Sequence, residues 1–175
     1  MIRNKSVPRL DNQRGFTLIE TLVVMIVGIV MLAAAAAGIG KLFRASEITE
    51  EASNIMHMRA QLDELNKQNH FKGITNDLAI KFNIVPANMA VQGSNISNVW
   101  GGMVRFGAPT NGKRVSIDYF GVPADACQQL VLKIGNAGWD HVNINDNLLS
   151  WPLTLMNVGA ECKDGNGNKL TFVPR

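Results

Sequence analysis

The sequence predicts an α+β protein: one long N-terminal α-helix, membrane-spanning in its first half, packed on a C-terminal headgroup built around an antiparallel sheet. Three observations lead there. A run free of charge and proline extends from Leu22 to Gly40. Beyond Lys41 apolar residues recur at spacings of three and four, and no helix breaker appears until Gly73. The remainder holds most of the glycines, all but one of the prolines and several short β-branched runs, as an α+β body should.

The first element is a basic tail. Met1 to Gly15 carries Arg3, Lys5, Arg9 and Arg14 against Asp11 alone. Leu22 to Gly40 then comes close to the roughly 20 apolar residues that cross a hydrocarbon core, where only a helix satisfies its own backbone. The charge asymmetry predicts a cytoplasmic N-terminus and an exported body. A secretory signal has a shorter apolar core with a small-residue cut site after it, whereas Ala33 to Ala37 lies inside a segment that continues as helix. Glu20, two residues ahead of the apolar run, is costly there, at about 2.5–3.5 kcal/mol for a charge at a bilayer centre. A residue so placed usually has a partner and a task.

The second half of the helix is amphipathic. Ile48, Ala52, Ile55, Met58, Leu62 and Leu65 form one stripe among Glu47, Glu50, Glu51, Asp63, Glu64 and Lys67. The simplest expectation is a single helix from about Phe16 to about Asn69, roughly 80 Å long. The alternative is two helices hinged near Gly38 and Gly40. With Gly28, these glycines suit close helix contacts; a second reading is that the Gly38–Gly40 region unwinds.

In the headgroup, Asn76 to Phe82 reads as a short helix with Asn76 as N-cap. Val104 to Phe106, Val115 to Phe120, Val142 to Ile144 and Leu170 to Val173 read as strands. Val115 to Tyr119 alternates with period two, as a half-buried strand does. Pro123 to Gly135 reads as a helix with Asp125 as N-cap, Gly135 or Gly138 at its close, and Cys127, Leu130, Val131 and Ile134 on its inner face. An exported chain with two cysteines is expected to join them, Cys127 to Cys162, the alternative being two buried thiols.

Motifs for chemistry are sparse. Asp164-Gly165-Asn166-Gly167-Asn168 resembles the front of a calcium loop, but Lys169 stands where glycine is needed and no glutamate follows; a polar hairpin turn explains it better. The loop with Asp140, Asn143, Asn145, Asp146 and Asn147 is a weaker metal candidate still. No CxxC occurs, and His57, His70 and His141 neither cluster nor sit at catalytic spacing, so neither metal nor cofactor is expected. Trp100, Trp139 and Trp151 fit packing better than an adhesive surface. Nothing indicates an enzyme.

Arg14-Gly15-Phe16-Thr17-Leu18-Ile19-Glu20, placed directly before the apolar run, resembles the cleavage and methylation signature of type IV prepilins. The resemblance implies that a prepilin peptidase cuts between Gly15 and Phe16 and methylates the new amine of Phe16. It implies that Glu20 sets register in a filament by neutralising the Phe16 amine of a neighbouring copy, a use to which buried ion pairs are suited. The leader's net +3 equals that of the whole chain, so residues 16–175 are formally neutral. The basic balance belongs to the leader and gives no reason to expect nucleic-acid binding. The best-known pilins carry a proline in the first half of this helix; its absence here places any melting at Gly38–Gly40.

A second resemblance lies in the headgroup. Asp125-Ala126-Cys127-Gln128-Gln129-Leu130 with a late Cys162 looks like the disulfide-bounded region of type IVb pilins. Ile84-Val85-Pro86 through Met89, then Asn98-Val99-Trp100-Gly101-Gly102, resembles the pilins of thin conjugative pili and, more thinly, those of toxin-coregulated and bundle-forming pili. Four regions are expected: a cleaved leader (1–15), a transmembrane and filament-core half-helix (16–40), an amphipathic half-helix (41–69) and a disulfide-bonded headgroup (70–175). The implied role is that of a structural subunit, the major pilin, of a type IVb-like pilus serving adhesion, conjugation or related surface functions. The chain would reside in the inner membrane as a precursor and then in an extracellular pilus. Its partners would be its own copies in a helical homopolymer, the prepilin peptidase, and an assembly platform, ATPase and secretin. The rivals are a minor pilin or secretion-system pseudopilin, and a membrane-anchored binding domain that never polymerises.

Overall fold

The computed structural model describes residues 16–67, 73–107 and 115–175. The basic leader with Gly15, the expected helix end at Asn69, and His70 lie outside the described residues. The chain forms two compact units that divide between Leu42 and Phe43.

Helix α1 (Leu18–Lys67) runs through both units and passes through Gly38 and Gly40 without interruption. Leucine, methionine and alanine favour it intrinsically. Its segment in the first unit is long and apolar enough to cross a membrane by length and composition, and the described side chains from Phe16 to Leu42 are exposed. Its segment in the second unit buries Ile48, Ala52, Ile55, Met58 and Leu62. Each large aliphatic buried so contributes about 1.5–3 kcal/mol relative to exposure.

The second unit holds a seven-stranded antiparallel sheet in the order β1-β2-β3-β4-β7-β5-β6. The strands are β1 (Ala90–Gln92), β2 (Asn95–Ser97), β3 (Met103–Gly107), β4 (Ser116–Val122), β5 (Trp139–Ile144), β6 (Asn147–Leu148) and β7 (Asn168–Pro174). Among the described residues three short helices accompany them: α2 (Asn76–Lys81) ahead of β1, α3 (Ala124–Ile134) between β4 and β5, and α4 (Leu155–Glu161) between β6 and β7. The stripe of α1 shares one apolar cluster with Ile96, Val104, Ile117, Tyr119, Leu170 and Phe172 of the sheet and with Leu130 and Val131 of α3. Trp139 closes the cluster, its ring 5.1 Å from that of Phe172 and its indole N–H donating to Ile134 O at 2.8 Å.

Several local expectations are corrected. Thr75, not Asn76, caps α2, its side chain accepting from Leu78 N–H. Asn76 instead ties α2 to the sheet, donating to Val104 O and accepting from Phe106 N–H. Asp125 lies in the first turn of α3, and Pro123, in extended backbone and with no side-chain cap, is its N-cap residue. The residues before Leu170 do not form a hairpin turn. β7 enters between β4 and β5, and Asn168 turns inward, fully buried, to hold Lys163 and Val122 O. β4 is buried on both faces rather than half-buried, since Asp118 is engaged by Arg105 at 3.2 Å and Thr171 at 2.9 Å on the polar side.

Candidate functional site

Two arrangements hold the candidate functional residues, one in each unit. In the first, Thr17 opens α1. Its carbonyl accepts from Glu20 N–H at 3.0 Å and Thr21 N–H at 3.2 Å, and its hydroxyl lies 3.4 Å from Glu20 N. Thr17 and Glu20 have the spacing of a capping box, which places the Glu20 carboxylate in the first turn, where the helix dipole favours an anion. Phe16 precedes this turn and is exposed. From Leu18 to Ile39 the helix presents exposed leucine, isoleucine, valine and methionine, and such a surface calls for lipid or protein to cover it.

In the second unit α1 carries the mount for the sheet. Glu51 is buried, at 2% exposure. It accepts from Val99 N–H at 2.6 Å, Tyr119 O–H at 3.0 Å and the Asn54 amide at 3.3 Å. Burial pushes its carboxyl above the ordinary range against the pull of these three hydrogen bonds, and Glu50 adds to the push. Burial, with Glu51 beside it, pushes the Tyr119 phenol well up as well. One turn away Glu47 accepts from the Trp100 indole at 3.2 Å, and Glu50 accepts from the Asn88 amide at 2.7 Å. At the far end Arg59 donates to Ala137 O and Gly138 O, with its guanidinium 5.0 Å over the Trp139 ring.

The loop that meets Glu51 is built by its own residues. Asn98 accepts from Trp100 N–H and Gly102 N–H and donates to Phe120 O. Gly101 has φ +78, and a Cβ on Gly102 would fall 1.8 Å from Phe120 O. The run Asn98-Val99-Trp100-Gly101-Gly102 is thus a folded clasp, its glycines set by a turn and by a close backbone approach.

Cys127 and Cys162 are disulfide-bonded across 35 residues, joining α3 to the end of α4. Arg44 and Lys133 tie α3 to α1 through Asp125 and Thr49. His57 is exposed on α1, and His141 meets Asp140 at 2.8 Å; neither joins the clasp. Of the tryptophans, Trp139 is core, Trp100 docks on α1, and Trp151 is exposed. Among the described residues no group of His, Cys, Asp and Glu gathers to hold a metal. Glu51 is the residue that sequence reasoning passed over. Its signal is a carboxylate three residues after Ile48 and four before Ile55, on the apolar stripe itself.

The model of the PilS N-terminal family matches residues 45–175, the whole sheet and the half of α1 beneath it. The chain belongs to the PilS N-terminal family. A second family model, the prokaryotic N-terminal methylation motif, matches residues 10–36, spanning Gly15, Phe16 and Glu20. No curated protein matches the chain. This PilS-family chain is a type IV pilin subunit with the α+β pilin fold, and its motif implies processing by a prepilin peptidase and assembly into a pilus.

Proposed function

We propose that this chain is the major pilin of a type IVb-like pilus, and that its mechanism is assembly rather than catalysis. The observation that carries the proposal is the first unit's exposed apolar helix opened by a single carboxylate, Glu20. Cleavage after Gly15 frees the Phe16 amine, which is methylated. Glu20 of one copy then neutralises the amine of another, and residues 16–40 pass from bilayer to filament core. Residues 41–69 mount the headgroup of residues 70–175. The formal neutrality of residues 16–175 supports close packing of identical copies, since little net charge opposes it. The clasp at Asn98–Gly102 and the Cys127–Cys162 bond support the type IVb subclass. An assembly platform, ATPase and secretin complete the machine, which acts in adhesion, conjugation or a related surface task.

The test is the intact mass of the protein in material sheared from the surface of its native host. The expected mass begins at Phe16, gains one methyl, lacks two hydrogens for the disulfide and dominates the filament fraction. The same mass present only as a trace beside another subunit would make the chain a minor pilin or pseudopilin. A full-length mass confined to membranes, in cells with an active prepilin peptidase, would instead make it an anchored binding protein.

A further inference from the structure

A carboxylate buried to the extent of Glu51 is ordinarily matched by a cation, whereas among the described residues the hydrogen-bond partners of Glu51 are all uncharged. Arg44 pairs with Glu47 at 3.6 Å and with Asp125 at 3.4 Å. Arg59 pairs with Asp63 at 3.5 Å, and Lys133 donates to Thr49. Among the described residues, the groups that face or flank Glu51 are Glu47, Glu50 and Asn54 on α1, Val99 and Trp100 in the clasp, and Tyr119 on β4, and none of these is a cation. Glu47 and Glu50 add negative charge on the same helix.

The three donors differ in kind. Val99 N–H and the Asn54 amide nitrogen can only donate, whereas the Tyr119 hydroxyl can donate or accept. The ionised carboxylate takes all three as donors. The neutral acid keeps Val99 on its carbonyl oxygen and presents an O–H to Tyr119, which then reverses its role. The pocket therefore holds both protonation states without breaking the clasp.

We propose that Glu51 is a proton-binding device in the headgroup, taking up a proton while the protein stays folded and the Asn98–Gly102 clasp stays seated on α1, so that mild acid adds to headgroup stability by relieving a buried charge. The linkage has a definite sign. Burial raises the folded-state affinity of Glu51 for a proton above that of the unfolded chain. Its contribution to stability is thus fully present below the ordinary carboxylate range and is lost as pH rises through the raised folded value. Carboxylates held by cations have the opposite dependence, so a substitution at Glu51 is needed to isolate the effect.

The experiment compares the full chain in detergent with Glu51→Gln and Tyr119→Phe. Glu51→Gln imitates the neutral acid, so it should unfold about 2–4 °C above wild type at pH 7.5 and level with it at about pH 3.5, below the ordinary carboxylate range. In ¹³C spectra of the folded wild type the Glu51 carboxyl should titrate above the other glutamates. Tyr119→Phe, which removes a donor to the ionised form, should move that midpoint higher still. A Glu51→Gln variant that unfolds below wild type by the same margin at both pH values would overturn the proposal. A Glu51 signal titrating with or below the exposed glutamates would overturn it too, whatever the fate of the variants.

Discussion

Gly102 shows how a single missing atom fixes the headgroup. With a Cβ 1.8 Å from Phe120 O and 2.9 Å from the Asn98 amide nitrogen, alanine there displaces backbone rather than a flexible side chain. The Asn98–Phe120 hydrogen bond of 2.8 Å is lost with it, and the loop that gives Val99 N–H to Glu51 shifts. Gly102→Ala should cost about 2–4 kcal/mol, as strained or overpacked sites do. Gly167→Ala is the control: a Cβ there meets nothing within 4 Å and no positive φ forbids it, so its effect should stay within about 0.5 kcal/mol. Denaturant unfolding of the two variants in detergent reads the difference, and equal midpoints would show that the clasp tolerates displacement. Asparagines act at the same scale. Asn76, Asn98 and Asn168 each spend side-chain hydrogen bonds on backbone groups, Asn76 on Val104 O in β3, Asn98 on Gly102 N–H in the clasp and Asn168 on Val122 O at the end of β4.

At the scale of elements, what was legible in the sequence followed from periodicity and length. The stripe Ile48 to Leu62 and the inner face of α3 are long enough to show a helical period, and both are buried as expected. β1, β2 and β6 span only two or three residues, too few to show alternation, although Gly93-Ser94 between Gln92 and Asn95 is a two-residue hairpin turn. α4 is illegible in the sequence because Leu155 and Met156 are exposed, Gly159 lowers its helical propensity, and Val158 is its one buried residue. Its position depends on a capping box between Thr154 and Asn157 and on the bond from Cys162 to Cys127. The partners of β7 were illegible for another reason: β4 lies some fifty residues upstream, and pairing at that range leaves no local trace. α4 and the start of β7 should therefore depend on the disulfide. Replacing Cys127 and Cys162 by serine should lose roughly 3–4 kcal/mol, with amide exchange rising first in Leu155–Glu161. Uniform exchange across all elements would mean that the bond stabilises the fold without selecting that region.

At the scale of the whole molecule, the two units set separate problems. The second unit buries its own core and satisfies its clasp internally, whereas the first leaves its apolar surface to lipid or to other copies. Glu20, at the head of that surface, should matter to assembly and not to folding. Glu20→Ala subunits should be made and cleaved and should unfold in detergent with the wild-type midpoint, yet yield few or no surface filaments. A second variant separates charge from helix capping. Glu20→Gln retains a side chain able to complete the capping box with Thr17 but cannot neutralise an amine. If register depends on the charge, Glu20→Gln assembles as poorly as Glu20→Ala. If the first turn of α1 is what matters, Glu20→Gln recovers filaments and Thr17→Ala loses them. Normal filaments from Glu20→Ala would remove the carboxylate from the assembly mechanism, leaving the apolar surface alone to drive the packing of copies.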